Sequence, residues 1–131
     1  MAYLLDTSVF LSAIIAPDRL NRHAQELLAQ QSETLFLSGG SSWEIGIKYA
    51  LGRLGLPDAP TRWVPASMRR LGVHPLDITH RHALAVAELP NHHQDPFDRI
   101  LVAQAKSEGL ILLTTDRVFQ KYPIKVLLCG A

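Results

Sequence analysis

The stretch LILLTTD, residues 110 to 116, decides how the rest of the chain is interpreted. Its first four residues are all apolar and do not alternate with polar ones, which is typical of a strand covered on both faces. Strands of this kind belong to parallel sheets, in which helices connect one strand to the next. A second apolar run, AYLLD at residues 2 to 6, also ends in an aspartate. The sequence therefore predicts a parallel sheet with acids at strand ends.

Outward from these two runs, short apolar segments alternate with helical patterns. We predict an α/β fold, a three-layer α/β/α sandwich with a central, mostly parallel sheet, formed by one domain over residues 1–131. Further strands are predicted at TLFLS (34–38), at GVHPLD (72–77), where Pro75 weakens the pairing, and at IKVLL (124–128). Helices are predicted near residues 7–15, 19–30, 41–54, 61–71, 79–89, 95–109 and 116–122. Pro65 is compatible with its helix only in the first turn.

Composition excludes several classes of protein. Thirteen Lys and Arg against twelve Asp and Glu give a net charge of +1, which neither requires nor excludes a nucleic-acid partner. The single Cys129 excludes an internal disulfide and a cysteine-based zinc cluster. The apolar N-terminus lacks a basic segment and is interrupted by Asp6, and no run reaches the roughly 18 apolar residues of a membrane span. We expect a cytoplasmic protein without a membrane partner.

Four acids are candidates for function. Asp6 and Asp116 end predicted strands, and Glu44 and Asp98 lie in the first turns of the helices that begin near residues 41 and 95. In open α/β folds the ligand crevice lies beyond the carboxyl ends of the strands. Helices that follow their strands directly also begin at this edge. We therefore expect the four carboxylates to converge there.

Each acid also has a purely structural explanation. Asp6 and Asp116 can cap the helices that follow them. Glu44 has the capping-box spacing from Ser41, and it can equally pair with Lys48 four residues on.

The stretch DPFDR contains the same ambiguity. Asp95 suits the N-cap position before Pro96, which leaves Asp98 in a first turn where the helix dipole favours an anion. Four converging carboxylates, however, would repel one another and raise each other's pKa. A divalent cation compensates such an arrangement, and oxygen ligands suit Mg²⁺ or Mn²⁺. A cation held there can activate water and stabilise charge on a phosphodiester.

Four motifs in order, LLDTSVFL (4–11), SSWEIGIKYALGRLGLP (41–57), HHQDPFDRILVAQA (92–105) and LLTTD (112–116), extend across almost the whole chain. Together they resemble the PIN-domain family, and within it the VapC-type toxins of bacterial toxin–antitoxin pairs. The resemblance implies an endoribonuclease that hydrolyses RNA with metal-activated water and leaves a 5′-phosphate and a 3′-hydroxyl. Carried over position by position, the acids that bind Mg²⁺ or Mn²⁺ are Asp6, Glu44, Asp98 and Asp116. The implied partners are RNA, a cognate VapB-type antitoxin and a second copy in a homodimer.

Neighbours of the acids are candidates for substrate contacts. Thr7, Ser8 and Thr115 adjoin the acids and can orient a ligand or water, or simply cap helices. Arg99, which directly follows Asp98, is predicted to contact a phosphate, as in RNA-binding proteins generally.

Two histidines and one tryptophan near the acids are assigned structural rather than functional roles. His92 and His93 are predicted to be loop residues, because adjacent loop residues rarely ligate one ion and no cysteine supports a zinc site. Trp43 lies at helical spacing and is predicted to be a core residue rather than a platform for base stacking.

Three other functions compete with the nuclease. An aspartyl-phosphate phosphatase needs a second acid two residues after the nucleophile, where this chain has Ser8. A receiver-like module could use Asp77 as phosphoacceptor, but Asp6 has no adjacent acidic partner. An α/β module of the same fold could also bind RNA without cutting it, although all four acids are present.

Overall fold

The computed structural model describes residues 1–131 and contains one five-stranded sheet in which every strand pair is parallel. The strand order is β3-β2-β1-β4-β5. The strands are β1 (Ala2–Leu5), β2 (Thr34–Ser38), β3 (Val73–Leu76), β4 (Ile111–Thr114) and β5 (Val126–Leu128). The helices are α1 (Thr7–Ile15), α2 (Arg22–Ala29), α3 (Gly39–Ala50), α4 (Pro60–Leu71), α5 (His80–Ala85) and α6 (Pro96–Glu108). Single 3₁₀ segments occupy Pro17–Arg19, Val86–Glu88 and Arg117–Lys121.

The sheet is covered on both faces, as its uninterrupted apolar strands predict. Within β1, Tyr3 and Leu5 belong to a core that includes residues of α1, α2 and α4, whereas Leu4 belongs to a second core that includes residues of α6. Leu4 and Leu5 are fully buried. Burial of one leucine side chain contributes about 1.5–3 kcal/mol. Two cores on opposite faces confirm the predicted three-layer α/β/α sandwich.

The strand order opens a crevice at the end of β1. From β1 the chain adds β2 and β3 on one side, and then crosses to β4 and β5 on the other. Such a switch is where ligands bind in parallel α/β sheets. The register pairs Leu5 with Leu113, so the next residues, Asp6 and Thr114, lie side by side at this switch.

The position of β3 bears on the receiver alternative. Asp77 directly follows β3, which is an edge strand separated from β1 by β2. Its acidic side chain is therefore two strands away from the end of β1, where Asp6 lies. The edge position also explains how Pro75 is accommodated, because β3 needs hydrogen-bond partners on one side only.

Two helix starts differ from the sequence prediction. Helix α3 begins at Gly39, with the Ser38 side chain accepting from the Gly40 amide at 2.9 Å, so the proposed capping box of Ser41 and Glu44 is wrong. In α4 the N1 position belongs to Pro60, and Pro65 lies inside the helix beyond its first turn. Asp95 does cap α6, accepting from the Phe97 amide at 2.8 Å.

No helix is both long and apolar enough to cross a membrane.

Candidate active site

Asp6 directly follows β1 at the switch in strand order and is buried, with 7% of its surface exposed. It precedes α1 but makes no side-chain capping bond, which leaves its carboxylate free for another role. The Thr114 hydroxyl donates to Asp6 Oδ2 at 2.7 Å. Burial raises the pKa of Asp6, and the charges of Glu44 and Asp116 add to this effect against the hydrogen bonds from Thr114 and Thr7.

Glu44 is the second buried acid, 8% exposed, and both of its oxygens have partners. The Thr7 hydroxyl lies 2.8 Å from Glu44 Oε1 and donates to it, while Ser41 Oγ lies 2.9 Å from the same hydroxyl. The Lys48 ammonium donates to Glu44 Oε2 at 2.6 Å. The i,i+4 pair considered from the sequence is thus formed, and Lys48 compensates the charge of Glu44. We call Asp6 and Glu44 the inner pair.

Asp98 and Asp116 form an outer pair that is more exposed, with 19% and 40% of their side chains accessible. Asp116 Oδ1 accepts from the Val118 amide at 2.9 Å, so the predicted capping role is real for this residue. Its other oxygen, Oδ2, lies 2.9 Å from His93 Nε2. The same nitrogen lies 3.5 Å from Asp98 Oδ2. One histidine therefore joins the two outer acids.

The pKa values of the two outer acids are shifted in opposite directions. Burial, together with the charges of Asp6 and Asp95, raises the pKa of Asp98 to about 7. Burial also disfavours ionisation of Asp116, but the hydrogen bonds from the Val118 amide and from His93 outweigh it and lower the pKa of Asp116. The protein therefore compensates the charge of Asp98 only in part, and a divalent cation held beside it would compensate the rest.

Ligand atoms of His93, Asp98 and Asp116 all lie within 4.8 Å of one another, and a divalent cation could be held among them. The carboxylates suit Mg²⁺ or Mn²⁺, so the residues present fit the cation that the sequence pattern predicts. Asp6 and Glu44 act electrostatically on Asp98, but they lie outside this compact set. All four predicted acids thus meet at one edge of the sheet.

Sequence reasoning missed two members of this site. Thr114, fully buried, donates to Asp6 and accepts from the Asp116 amide at 3.0 Å, so it links the two strand ends. The sequence contains a signal for this residue. If LLD (4–6) and LLT (112–114) are aligned as neighbouring parallel strands, Thr114 lies beside Asp6. Thr115, which we predicted instead, is exposed and makes no side-chain hydrogen bond.

His93 is the other missed residue. Two adjacent loop histidines rarely bind one ion together, but a single one of them can lie beside carboxylates. His93 faces the outer pair, whereas His92 packs edge-to-face on Tyr122 with ring centroids 5.2 Å apart. The backbone amide of His93 donates to the Tyr122 hydroxyl at 2.7 Å, which fixes the loop at the point where the two rings diverge.

Arg99 makes contacts within the protein that its predicted role did not include. Its guanidinium donates to backbone carbonyls of the segment that precedes α6, at distances of 3.0 to 3.5 Å, namely those of Val86, Leu89, Pro90 and His93. Arg99 thus holds the loop that carries His93, and its contact with a phosphate stays a prediction.

The remaining candidates separate by exposure. Ser8 is exposed and makes no side-chain hydrogen bond, while Thr7 is buried against Glu44. Trp43 is 63% exposed and packs edge-to-face on Phe97 at 5.2 Å, so its assignment to the core is wrong. Helical spacing alone did not identify the buried face of α3, because Trp43 lies on the face exposed to solvent.

Comparison with known proteins places this arrangement in a family context. The sequence model of the family described as PIN domain matches residues 3–125. Ribonuclease VapC16 of Mycobacterium tuberculosis is 37% identical over 68 residues, which are 52% of this chain and 48% of that protein. The alignment thus spans about half the length of this relative.

Solved structures share the fold over nearly the whole chain. VapBC2 from Rickettsia felis, bound to a DNA fragment from its promoter, superposes with a TM-score of 0.74 at 18% identity, covering 99% of this chain and 100% of that one. FitAcB from Neisseria gonorrhoeae gives 0.66 at 22% identity, covering 97% and 96%.

Proposed function

Because the chain belongs to the PIN domain family, we propose that it is a metal-dependent endoribonuclease of the VapC toxin type. The observation that carries the proposal is the convergence of Asp6, Asp98 and Asp116 at the switch point of the sheet, with one acid of pKa about 7 among them. The partial identity to a protein named ribonuclease VapC16 supports RNA as the substrate.

The proposed cation is Mg²⁺ or Mn²⁺, held by Asp98 and Asp116. When bound, it supplies activation of water and stabilisation of negative charge on the phosphodiester. Asp6, oriented by Thr114, and Glu44, held by Thr7 and Lys48, complete the set of acids predicted to bind the cation. Their hydrogen bonds also suit them to orient the attacking water. We expect hydrolysis to leave a 5′-phosphate and a 3′-hydroxyl without a covalent intermediate.

Electrostatics also supports a polyanionic substrate. Lys48 is half-exposed at the rim, and it interacts with Asp95 and Asp98 as well as with Glu44. The Lys48 ammonium can attract a phosphate of the substrate, which the carboxylates alone would repel. The exposed Trp43 lies next to Glu44 in sequence and offers a face on which a base can stack.

Protein partners belong to the same proposal. VapBC-5 from Mycobacterium tuberculosis, a member of the VapBC family of toxin–antitoxin systems, shares this fold, which supports a cognate VapB-type antitoxin for this chain. Exposed apolar side chains include Trp43 on α3, Leu51 directly after α3 and Leu84 on α5. We propose that a partner, either the antitoxin or a second copy of the chain, covers some of them.

The decisive experiment is cleavage of a labelled single-stranded RNA by the purified chain. We expect cleavage with Mg²⁺ or Mn²⁺, none with EDTA, and none with Asp6→Asn or Asp98→Asn although both variants keep the parent circular dichroism spectrum. Sequencing the RNA ends tests the predicted 5′-phosphate. Parent-rate cleavage by both variants would mean that the assigned site is wrong.

The partner proposal has its own test. Co-expression with a candidate antitoxin encoded beside this chain should yield a complex that no longer cuts the RNA, and sedimentation of the free chain should give the mass of a dimer. A monomer that stays active in the presence of the candidate would contradict this part of the proposal.

A further inference from the structure

Besides the four acids, the site contains the imidazole of His93, to which the proposed function assigns no role. Its Nε2 lies 2.9 Å from Asp116 Oδ2 and 3.5 Å from Asp98 Oδ2, so it points between two carboxylates rather than at one. Four-fifths of the side chain is buried, and its ring packs against Phe119 with centroids 5.2 Å apart.

The two distances from His93 Nε2 suit a ligand of an ion held between the acids. At metal–ligand distances of about 2.0–2.2 Å, neighbouring ligand atoms of an octahedral ion lie roughly 2.8–3.1 Å apart and opposite ones roughly 4.0–4.4 Å apart. The two distances from His93 Nε2 are close to the first value or between the two, and all three ligand atoms lie within 4.8 Å. A cation entering between the two acids would take the place of the proton through which Nε2 bonds Asp116, and would meet this nitrogen with little movement of the protein.

The loop is built to hold this nitrogen in place. The backbone amide of His93 donates to Tyr122, which follows the 3₁₀ segment after Asp116, and its carbonyl accepts from Arg99 at 3.2 Å. The segments that carry the two outer acids thus fix His93 from both sides. Preorganisation of this kind is what a ligand needs, because a mobile side chain would lose conformational entropy on binding.

We propose that His93 is a ligand of the cation through Nε2, and that this nitrogen makes the site prefer Mn²⁺ and later transition-metal dications to Mg²⁺. The inference rests on the proposed function, because it assumes a cation between Asp98 and Asp116. The preference follows from ligand chemistry. Mg²⁺ favours oxygen ligands and retains its waters, whereas imidazole binds transition metals with affinity that rises from Mn²⁺ towards Cu²⁺.

The test is direct metal binding, which does not depend on cleavage. Mn²⁺ bound to the wild-type chain is observed by electron paramagnetic resonance, with spin-echo modulation to detect a coordinated ¹⁴N. His93→Phe keeps a ring against Phe119 but removes the nitrogen. His92→Phe is the matched control, because the adjacent histidine faces Tyr122 and not the acids.

We expect a histidine nitrogen coupling in the wild type and in His92→Phe, and none in His93→Phe. Affinity for Mn²⁺ should fall by roughly 10- to 100-fold in His93→Phe, while the affinity for Mg²⁺, measured by competition, should change by only a few-fold. The wild-type spectrum remains informative even if His93→Phe fails to fold.

Two results would overturn the inference, and they differ in what they mean for the proposed function. Mn²⁺ that binds the wild type without nitrogen coupling would reduce His93 to a hydrogen-bond partner of Asp116 and leave the nuclease proposal intact. Failure of the wild type to bind Mn²⁺ at all would contradict both.

Discussion

The inner and outer pairs of acids are held by different means. Asp6 and Glu44 are buried, and neutral hydroxyls of Thr114 and Thr7 and the ammonium of Lys48 satisfy their oxygens. Asp98 lies in the first turn of α6 and Asp116 directly before a 3₁₀ segment; both are more exposed, and their shared partner is an imidazole. The inner pair is fixed by the fold itself, whereas the outer pair has charge that the protein compensates only in part.

Because the two pairs differ in burial and in charge compensation, we expect them to have different roles. A hydrogen-bonded, buried carboxylate is rigid and loses little entropy when it orients a water or a phosphate. A partly exposed carboxylate with a raised pKa is suited to accept a cation. We therefore expect changes in the outer pair to alter metal binding, and changes around the inner pair to alter orientation and stability.

The largest effect is expected for Asp98→Asn. Metal affinity and RNA cleavage should fall by at least ~100-fold, because a charged ligand is lost. The melting temperature in EDTA should stay the same or rise, since a carboxylate of raised pKa is removed. Titration calorimetry with Mn²⁺ and a thermal melt check both points.

Asp95→Asn is the matched control for this prediction. It changes the other acid of DPFDR and retains the capping function, because asparagine caps helices as well as aspartate does. Cleavage and the melting temperature should both stay near the parent values. A loss of metal affinity in Asp95→Asn equal to that in Asp98→Asn would mean that Asp98 has no special place in the outer pair.

Thr114→Val should be the next most damaging change. It leaves Asp6 Oδ2 and the Asp116 amide without their shared partner, which costs about 1–3 kcal/mol of unfolding free energy. Cleavage should fall by roughly 10-fold or more while Mn²⁺ affinity changes less, because the orientation of the inner pair is affected first. Thr115→Val, at the exposed neighbour, should be nearly silent in both measurements, and an equal loss there would refute the assignment of Thr114.

Arg99→Lys separates a loop clamp from a phosphate contact. Lysine keeps the charge but not the fork that donates to several carbonyls, so we expect a loss of about 1–3 kcal/mol in unfolding free energy and weaker Mn²⁺ binding through His93. The salt dependence of RNA binding should not change. A stable variant with an altered salt dependence would support the role first predicted from the sequence.

The last prediction concerns the pH dependence of stability, which requires no substitution. Burial raises the pKa of Asp98 to about 7, above its value in the unfolded chain, so the folded state binds the proton more tightly. This contribution is fully present below about pH 4 and is lost as pH rises through about 7. In EDTA, melting temperatures should therefore decline across this window, and the decline should flatten in Asp98→Asn and when Mn²⁺ is added.

Much of the fold was predictable because each layer has a local signal. Apolar runs without alternation identify strands buried on both faces, and the predicted bounds of α1 match the observed Thr7–Ile15. Helix starts were less predictable where several small polar residues compete, as Ser38 displaced Ser41 as the cap of α3. The interior Pro65 was misjudged because Pro60 takes the first position of α4.

By itself, the sequence determined that four acids occupy strand ends and helix starts, and that the chain folds into a parallel three-layer domain. These features follow from residue type and local periodicity. Only the tertiary structure decided how the acids divide into two pairs, that Thr114 links them, that Arg99 holds a loop and that His93 and not His92 faces the carboxylates. Those outcomes depend on strand register and on contacts between residues as much as 108 positions apart, as between Thr114 and Asp6, which no local pattern encodes.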